Sequence, residues 1–398
     1  YLPNSLTVAS GVLVRAGTVD EHWPEEAGLA HASEHMRFQG TTNPEFPDSK
    51  AIAAYTEDVG GMVNAWTSQE GTFFYQILPA SEFARSPHLL ANLLLSPAFP
   101  EDKISTEMNN IVQEIKRAND DPRVFLNDSF TQILYSGNPL SKRILGTEEA
   151  VKSFTRKHFL DYAQRLYNNN NFTFFVVGNV KAENAAVIFN KEFGAGIYGE
   201  TNDRAVFFSP QCLVKEIIFP KEIEQVHLQI GSYPSVMTDT EIRALQVFSW
   251  MIGGGMSFPL FQIVRDKNGL CYQIGASFER SGNNLCHFQI YVGTDPQKYP
   301  KAVELIYQVI EKCKNDEQLL QRAKTRLLGC LALSYEQAAS IMSTAVGDVL
   351  NIGRPRSQKD RTEAVKSVTI EDVAKAVESC LVPSKTIIVM LKPKQFCS

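Results

Sequence analysis

His31-Ala32-Ser33-Glu34-His35 is the segment of this 398-residue chain whose residue types and spacing point most directly to chemistry. The chain holds seven histidines, and two of them fall within these five residues. On a helix, residues four apart share a face, so both imidazoles reach one ion while Glu34 leans toward the same spot. Two neutral imidazoles suit zinc, and a catalytic zinc needs one more protein ligand plus an open position for water. By chance, a chain of this composition holds His-x-x-acid-His only about 0.01 times. The bland alternative is a hydrogen-bonded histidine pair on a helix surface with a salt-bridging glutamate.

The elements that must hold these groups are legible around them. A helix is predicted over 26–40, with Pro24 and two acids at its start and Gly40 past its end. The third ligand is expected to be a carboxylate on another helix. Such a helix is predicted over 100–119, begun by Pro100 and stopped before Asp121-Pro122, with Ile104, Met108, Ile111, Val112 and Ile115 as its core stripe. Glu107 and Glu114 lie two turns apart on one side of that stripe and border the core. Taken alone, Glu114 reads as a surface carboxylate.

An internal repeat sets the domain organisation. Glu149-Ala150-Val151-Lys152-Ser153-Phe154-Thr155 recurs 214 residues later as Glu363-Ala364-Val365-Lys366-Ser367-Val368-Thr369, identical at six of seven positions. Each copy is followed by an amphipathic helix and a short buried strand, 172–177 and 385–391. Upstream, 26–40 corresponds to 240–254. Each half then offers a glycine and two strands, around 60–66 and 72–78 in one and 269–275 and 285–292 in the other.

The expected fold is α+β: two homologous domains, 1–200 and 212–398, joined by a linker at 201–211, each an antiparallel sheet with helices packed on one face. Adding 214 to positions 31, 34, 35 and 114 lands on Leu245, Phe248, Ser249 and Leu328. Only the first domain can then hold the metal, and the second is expected to close the cavity over it.

Composition excludes other classes. Lys+Arg 39 against Asp+Glu 44 gives a net charge of -5 with no basic block, so nucleic acid is not an expected partner. No apolar run approaches the roughly 18–20 residues of a membrane helix, and no signal segment opens the chain. The expected compartment is the cytoplasm, or an organelle matrix if a transit segment was removed. The seven cysteines form no C-x-x-C pair and all lie from Cys212 onward, which reads as reduced, mostly buried thiols. No phosphate-binding glycine motif is present.

His31-x-x-Glu34-His35 with Glu107-x6-Glu114 downstream resembles the inverted-motif zinc peptidases, the pitrilysin or M16 family. The subgroup it looks most like has about this chain's length and includes mitochondrial processing peptidase. The likeness runs nearly end to end, through Gly28-Leu29-Ala30-His31, Phe38-Gln39-Gly40-Thr41, Asn64-Ala65-Trp66-Thr67 and Gly253-Gly254-Gly255-Met256-Ser257.

The resemblance implies that His31, His35 and Glu114 bind one zinc per chain, that Glu34 is the general base, and that Glu107 supports the ligand shell. It also implies that Arg265 and Tyr272, an Arg-x6-Tyr element, contact the bound peptide and the developing oxyanion. On residue chemistry alone Arg265 is a helix-end cation and Tyr272 a core residue. The strand holding Asn64 and Ala65 is implied to pair with an extended peptide substrate.

A self-sufficient homodimer is the expected assembly, with a heterodimeric processing peptidase as an alternative. A non-catalytic core subunit is the alternative from another class. Pro259 and Asn138 depart from the family pattern, which commonly has Arg and His there, and Val8 runs straight into Ala9 where relatives have a strand-turn-strand.

Overall fold

Apolar residues alternate along Thr7–Val14: Val8, Val12 and Val14 face one way, Ala9 and Leu13 the other, and all five are buried. A strand buried on both faces needs cover on both sides. The computed structural model, which describes residues 1–194, 196, 198–202, 204 and 215–397, supplies that cover from two distant parts of the chain. Most of the expected linker (203 and 205–211) and Cys212 lie outside the described residues.

The first half contains strands β1 (Thr7–Val14), β2 (Met62–Thr67), β3 (Thr72–Pro79) and β4 (Phe172–Gly178). Its helices are α1 (Leu29–Arg37), α2 (Ser49–Glu57), α3 (Arg85–Leu95), α4 (Glu101–Asp120), α5 (Pro122–Leu134), α6 (Glu148–Ser153), α7 (Arg156–Leu166) and α8 (Ala182–Phe193). The second half contains strands β5 (Glu216–Lys221), β6 (Val226–Ser232), β7 (Ser235–Val236), β8 (Cys271–Ser281), β9 (Leu285–Thr294) and β10 (Thr386–Pro393). Its helices are α9 (Asp239–Gly253), α10 (Tyr299–Cys313), α11 (Glu317–Ser334), α12 (Ala338–Ile352), α13 (Gln358–Lys366) and α14 (Ile370–Cys380).

The first sheet runs β2-β3-β1-β4, antiparallel throughout. The second contains β8-β9-β6-β10, the same order 214 residues on, extended by β5 parallel to β10 and by the short β7 on β9. In the first sheet Val8, Val12, Phe74 and Leu78 pack under α1, α3, α4, α6, α7 and α8, with Leu29, Leu90, Ile111, Val151, Phe159 and Phe189 as examples. Its opposite face, Ala9, Leu13, Phe73 and Phe175, packs against Ala338, Met342 and Val346 of α12.

The compact units are therefore not the contiguous halves expected. One comprises 1–117, 142–205 and 335–350, and the other 118–141, 206–334 and 351–398. Each unit takes one helix from the other half: α12 in the first, its repeat counterpart α5 in the second. In the second unit the swapped helix lies close on the sheet. A side chain at Gly231 would collide with the ring of Phe130, and the hydroxyl of Tyr135, just past α5, is 2.8 Å from His287 Nδ1. The expectation of helices on one face is extended accordingly: in the first unit α12 covers a second apolar face of the sheet, and in the second unit α5 lies close on the sheet at Gly231 and His287. No helix among the described residues is long and apolar enough to cross a membrane.

Candidate metal centre

The helix carrying the histidines starts later than the sequence suggests, at Leu29. Its N-cap is Gly28 with φ +92, a left-handed conformation that favours glycine, and glycine has no side chain to cap the first amides. Glu21 does this from outside the helix. Its Oε1 accepts from the Ala30 amide at 2.9 Å, and its Oε2 accepts from the Gly28 amide at 3.2 Å and from Trp23 Nε1 at 2.9 Å. Burial pushes the Glu21 carboxyl up to about 8, against the pull of those three N–H donors and of Lys142.

The other end of α1 is tied down by Arg37, which is fully buried. Its Nη1 donates to the carbonyls of Leu93 and Leu94 at 2.9 and 3.0 Å, and its guanidinium lies 3.5 Å from the centroid of the Tyr167 ring. It has no carboxylate partner among the described residues, and burial lowers its pKa. A cation held by helix-end carbonyls and an aromatic face fixes the α1 terminus to α3.

Between these anchors, α1 and α4 bring the chemistry-bearing groups together. His31, His35 and Glu114 each offer a donor atom, and the three atoms lie within 4.8 Å of one another. Among the described residues no other three His, Cys, Asp or Glu are so placed. His31 Nε2 is 3.7 Å from Glu114 Oε2, close to the roughly 3.3 Å that separates neighbouring ligands around a tetrahedral zinc. His35 Nδ1 faces Glu107 Oε2 at 3.5 Å, which leaves Nε2 for an ion and sets Glu107 where a supporting carboxylate belongs.

Burial, with the neighbouring His35, lowers the His31 pKa to about 3, so at neutral pH this imidazole is a neutral donor. Its Nδ1 is buried without a hydrogen-bond partner. Two imidazoles and a carboxylate fit the zinc donor set.

Glu34 is 9% exposed, one residue from His35, and Thr67 Oγ1 at the end of β2 donates to its Oε2 at 2.5 Å. Burial raises the Glu34 pKa and the Glu114 charge adds to this, while Thr67 and His35 oppose it. Thr67, Glu21 and Arg37 had no role in the sequence reading. Thr67 left a signal, closing the Asn64-Ala65-Trp66-Thr67 segment on the strand beside the motif.

Asn64 and Ala65 lie on β2, which among the described residues pairs only with β3 and so presents an outer edge. Arg265 and Tyr272 belong to the second unit and border a common 410 Å³ cavity there with Phe261 and Lys298. Arg265 sits on a π-helical segment, Leu260–Lys267, its guanidinium 4.5 Å from the Phe261 centroid. Tyr272 is 71% exposed, which corrects its reading as a core residue: on β8 it faces outward while the adjacent Cys271 is buried. At the counterpart positions of the second unit, Leu245 and Phe248 are fully buried and Ser249 donates to the Gln246 carbonyl at 2.7 Å.

Family models match both halves. Residues 1–148 match the model described as insulinase (peptidase family M16), and residues 153–327 match the peptidase M16 inactive domain. Among curated relatives, an uncharacterized zinc protease of Rickettsia felis is 28% identical over 377 residues, covering 94% of this chain and 89% of that protein. One of Bacillus subtilis is 29% identical over 377 residues, covering 93% and 90%. In fold, the chain is similar to a protease from Helicobacter pylori (TM-score 0.85, 18% identity, 98% and 94% covered). It is also similar to a peptidase M16 inactive domain from Pseudomonas fluorescens (TM-score 0.84, 19% identity, 98% and 94% covered).

Proposed function

The chain belongs to peptidase family M16, and from that premise we propose that it is a zinc-dependent endopeptidase acting on extended peptides. The observation that carries this reading is the convergence of His31, His35 and Glu114 donor atoms within 4.8 Å, beside the buried carboxylate of Glu34. His31, His35 and Glu114 would hold the ion, with Glu107 orienting His35. Zinc supplies Lewis acidity there, lowering the pKa of water toward about 7 and polarising a peptide carbonyl.

The remaining steps fall to the chain's own residues. Thr67 fixes Glu34 by its Oε2, which leaves Oε1 to take the proton of the attacking water and pass it to the leaving nitrogen. A raised carboxyl pKa suits a group that must both accept and return a proton near neutral pH. The open edge of β2 would receive the substrate as an added strand, reading main chain more than side chains. Arg265 and Tyr272 are proposed to contact the peptide and its oxyanion, for which a guanidinium and a phenol are fitting donors.

The test is zinc content together with cleavage of a quenched peptide by wild type and Glu34→Gln. The variant is expected to keep about one zinc per chain and to lose turnover by several orders of magnitude. Undiminished cleavage would exclude Glu34 as the base. The proposed assembly is a homodimer, read by size exclusion with light scattering. A fully active monomer would overturn it.

A further inference from the structure

We propose that the second unit holds a binding site for a small aromatic carboxylate, with Arg243 as the residue that takes the carboxylate and Trp250 beside the ring. This goes beyond the peptidase reading and needs no metal. The site is a cavity of 610 Å³ bounded by α9, α11, α13 and β8, all within that unit. These elements are the copies of α1, α4, α6 and β2. The cavity therefore lies where the first unit gathers its histidines and glutamates, and Ser249, the counterpart of His35, borders it.

Charge is reversed between the two copies. Glu34 and Glu107 line the first cleft, whereas the charged lining of the second is Arg243, Arg356 and Arg361, with no aspartate or glutamate among its described residues. Arg243 stands where the first copy has Leu29, which is fully buried. Its Nε donates to the Asp239 carbonyl at 3.0 Å, which holds the side chain along α9. Both Nη nitrogens are left without a hydrogen bond or ion pair among the described residues, and the Asp239 carboxylate faces Arg280 at 3.8 Å instead. A planar guanidinium fixed through one nitrogen offers the fork that matches a carboxylate.

Much of the remaining wall is apolar. Trp250, Phe278, Leu327 and Val365 line the cavity, each half-buried and packed on the second core. Two of these four are aromatic, which favours a ring that can stack on them. The volume falls within the roughly 300–1,000 Å³ of small-ligand pockets. A phosphate group fits less well. Helix-based phosphate sites use the amide end, and this cavity borders residues 253–255 at the carbonyl end of α9. A singly charged anion on a large apolar body satisfies both parts of the lining.

The experiment is titration calorimetry on the full chain with biphenyl-4-carboxylate. Biphenyl-4-methanol serves as the uncharged analogue, biphenyl-4-methylamine as the cationic one and inorganic phosphate as the bare anion. The carboxylate is expected to bind at one site per chain with Kd below about 1 mM, about tenfold tighter than the alcohol, and the amine and phosphate to give no measurable binding. Arg243→Gln is expected to bring the carboxylate down to the affinity of the alcohol. Ala364→Trp, which adds bulk to the cavity from α13, is expected to abolish binding of both.

Melting curves without ligand establish that each variant is folded, and the comparison of the four probes on wild type stands whether or not the variants fold. No binding of the carboxylate to wild type overturns the site. An alcohol as tight as the carboxylate, or phosphate that displaces it at a similar concentration, overturns the ligand class. Undiminished binding by folded Arg243→Gln overturns the role of Arg243, and undiminished binding by folded Ala364→Trp overturns the cavity as the place. None of these readouts involves zinc or cleavage, so their failure is separate from that of the peptidase reading.

Discussion

Helices α1 and α9 occupy the same place in two copies of one fold, yet they are built on opposite principles. The fifteen residues of α9 start from a Thr238–Glu241 capping box and bury Leu245, Phe248, Met251 and Ile252. The nine residues of α1 start from a glycine N-cap and bury Glu34, Arg37 and a histidine nitrogen with no partner. Unpaired buried polar groups cost stability, so α1 relies on props outside itself: Glu21 at one end, the Leu93 and Leu94 carbonyls at the other. The scaffold tolerates this in one copy while the other keeps an ordinary apolar core. Strain of this kind concentrates at functional positions.

The sharpest way to break the comparison is to give α1 the side chains of α9. His31→Leu with His35→Ser removes two donors, and peptide cleavage is expected to fall below detection. The metal-free melting temperature should hold or rise, because buried polar atoms are replaced. Zinc at a thousandfold excess over its dissociation constant stabilises a folded protein by about 4 kcal/mol, so it should raise the wild-type melting temperature by several degrees and leave the variant's unmoved. A zinc-induced rise in the variant would show that the ion binds elsewhere.

The reciprocal change tests the other copy. Phe248 is the counterpart of Glu34 and is fully buried against Phe288. Phe248→Ala leaves a cavity in the second core and is expected to cost about 3–5 kcal/mol, read by denaturant unfolding. Zinc content per folded chain should not change, since His31, His35 and Glu114 all lie in the first unit. A loss of zinc from the folded variant would contradict the assignment of the site to the first unit alone.

Much of this contrast was legible in sequence because it rests on local rules. Spacing of four put His31 and His35 on one helix face, the seven-residue interval of Glu107 and Glu114 put both on one side of α4, and the 214-residue offset anticipated the shared strand order. The start of α1 was misplaced because its cap, Glu21, sits seven residues ahead of Gly28 and acts through space. The exchange of α5 and α12 was invisible for a related reason. Their apolar residues announce that they cover a sheet, but which of two homologous sheets they cover is a tertiary choice that no periodicity encodes. Tyr272 misled because alternation on a strand predicts only that neighbours face opposite ways, and Cys271 took the inner side.

A smaller effect is expected at Thr67, whose hydroxyl positions the proposed base. Thr67→Val keeps the shape and strand preference but removes the donor to Glu34. Such a bond to a charged group corresponds to about a tenfold loss of kcat. KM and zinc content should hold, and Thr67→Ser should restore the rate because it restores the hydroxyl. A loss of zinc, or a serine variant as slow as the valine one, would mark Thr67 as merely structural.

The smallest expected effect concerns His88, where the two units differ again. Its counterpart 214 residues on, Ala302, is fully buried in α10. His88 instead bridges two carboxylates, with Nδ1 2.9 Å from Glu192 of α8 and Nε2 3.0 Å from Glu45 in the loop after α1. Partial burial works against its imidazolium, but the bonds and charges of Glu192 and Glu45 outweigh this and raise its pKa above 6.5. A raised folded-state value means the clamp contributes fully below about pH 6.5 and is lost as pH climbs through the folded pKa. For a pair this accessible the contribution is under about 1 kcal/mol, or one to a few degrees of melting temperature. Wild type should therefore melt above His88→Gln at pH 6, with the gap closing by pH 9. A gap independent of pH would mean that packing against Tyr55 and Phe46, and not charge, holds the loop after α1 to α8.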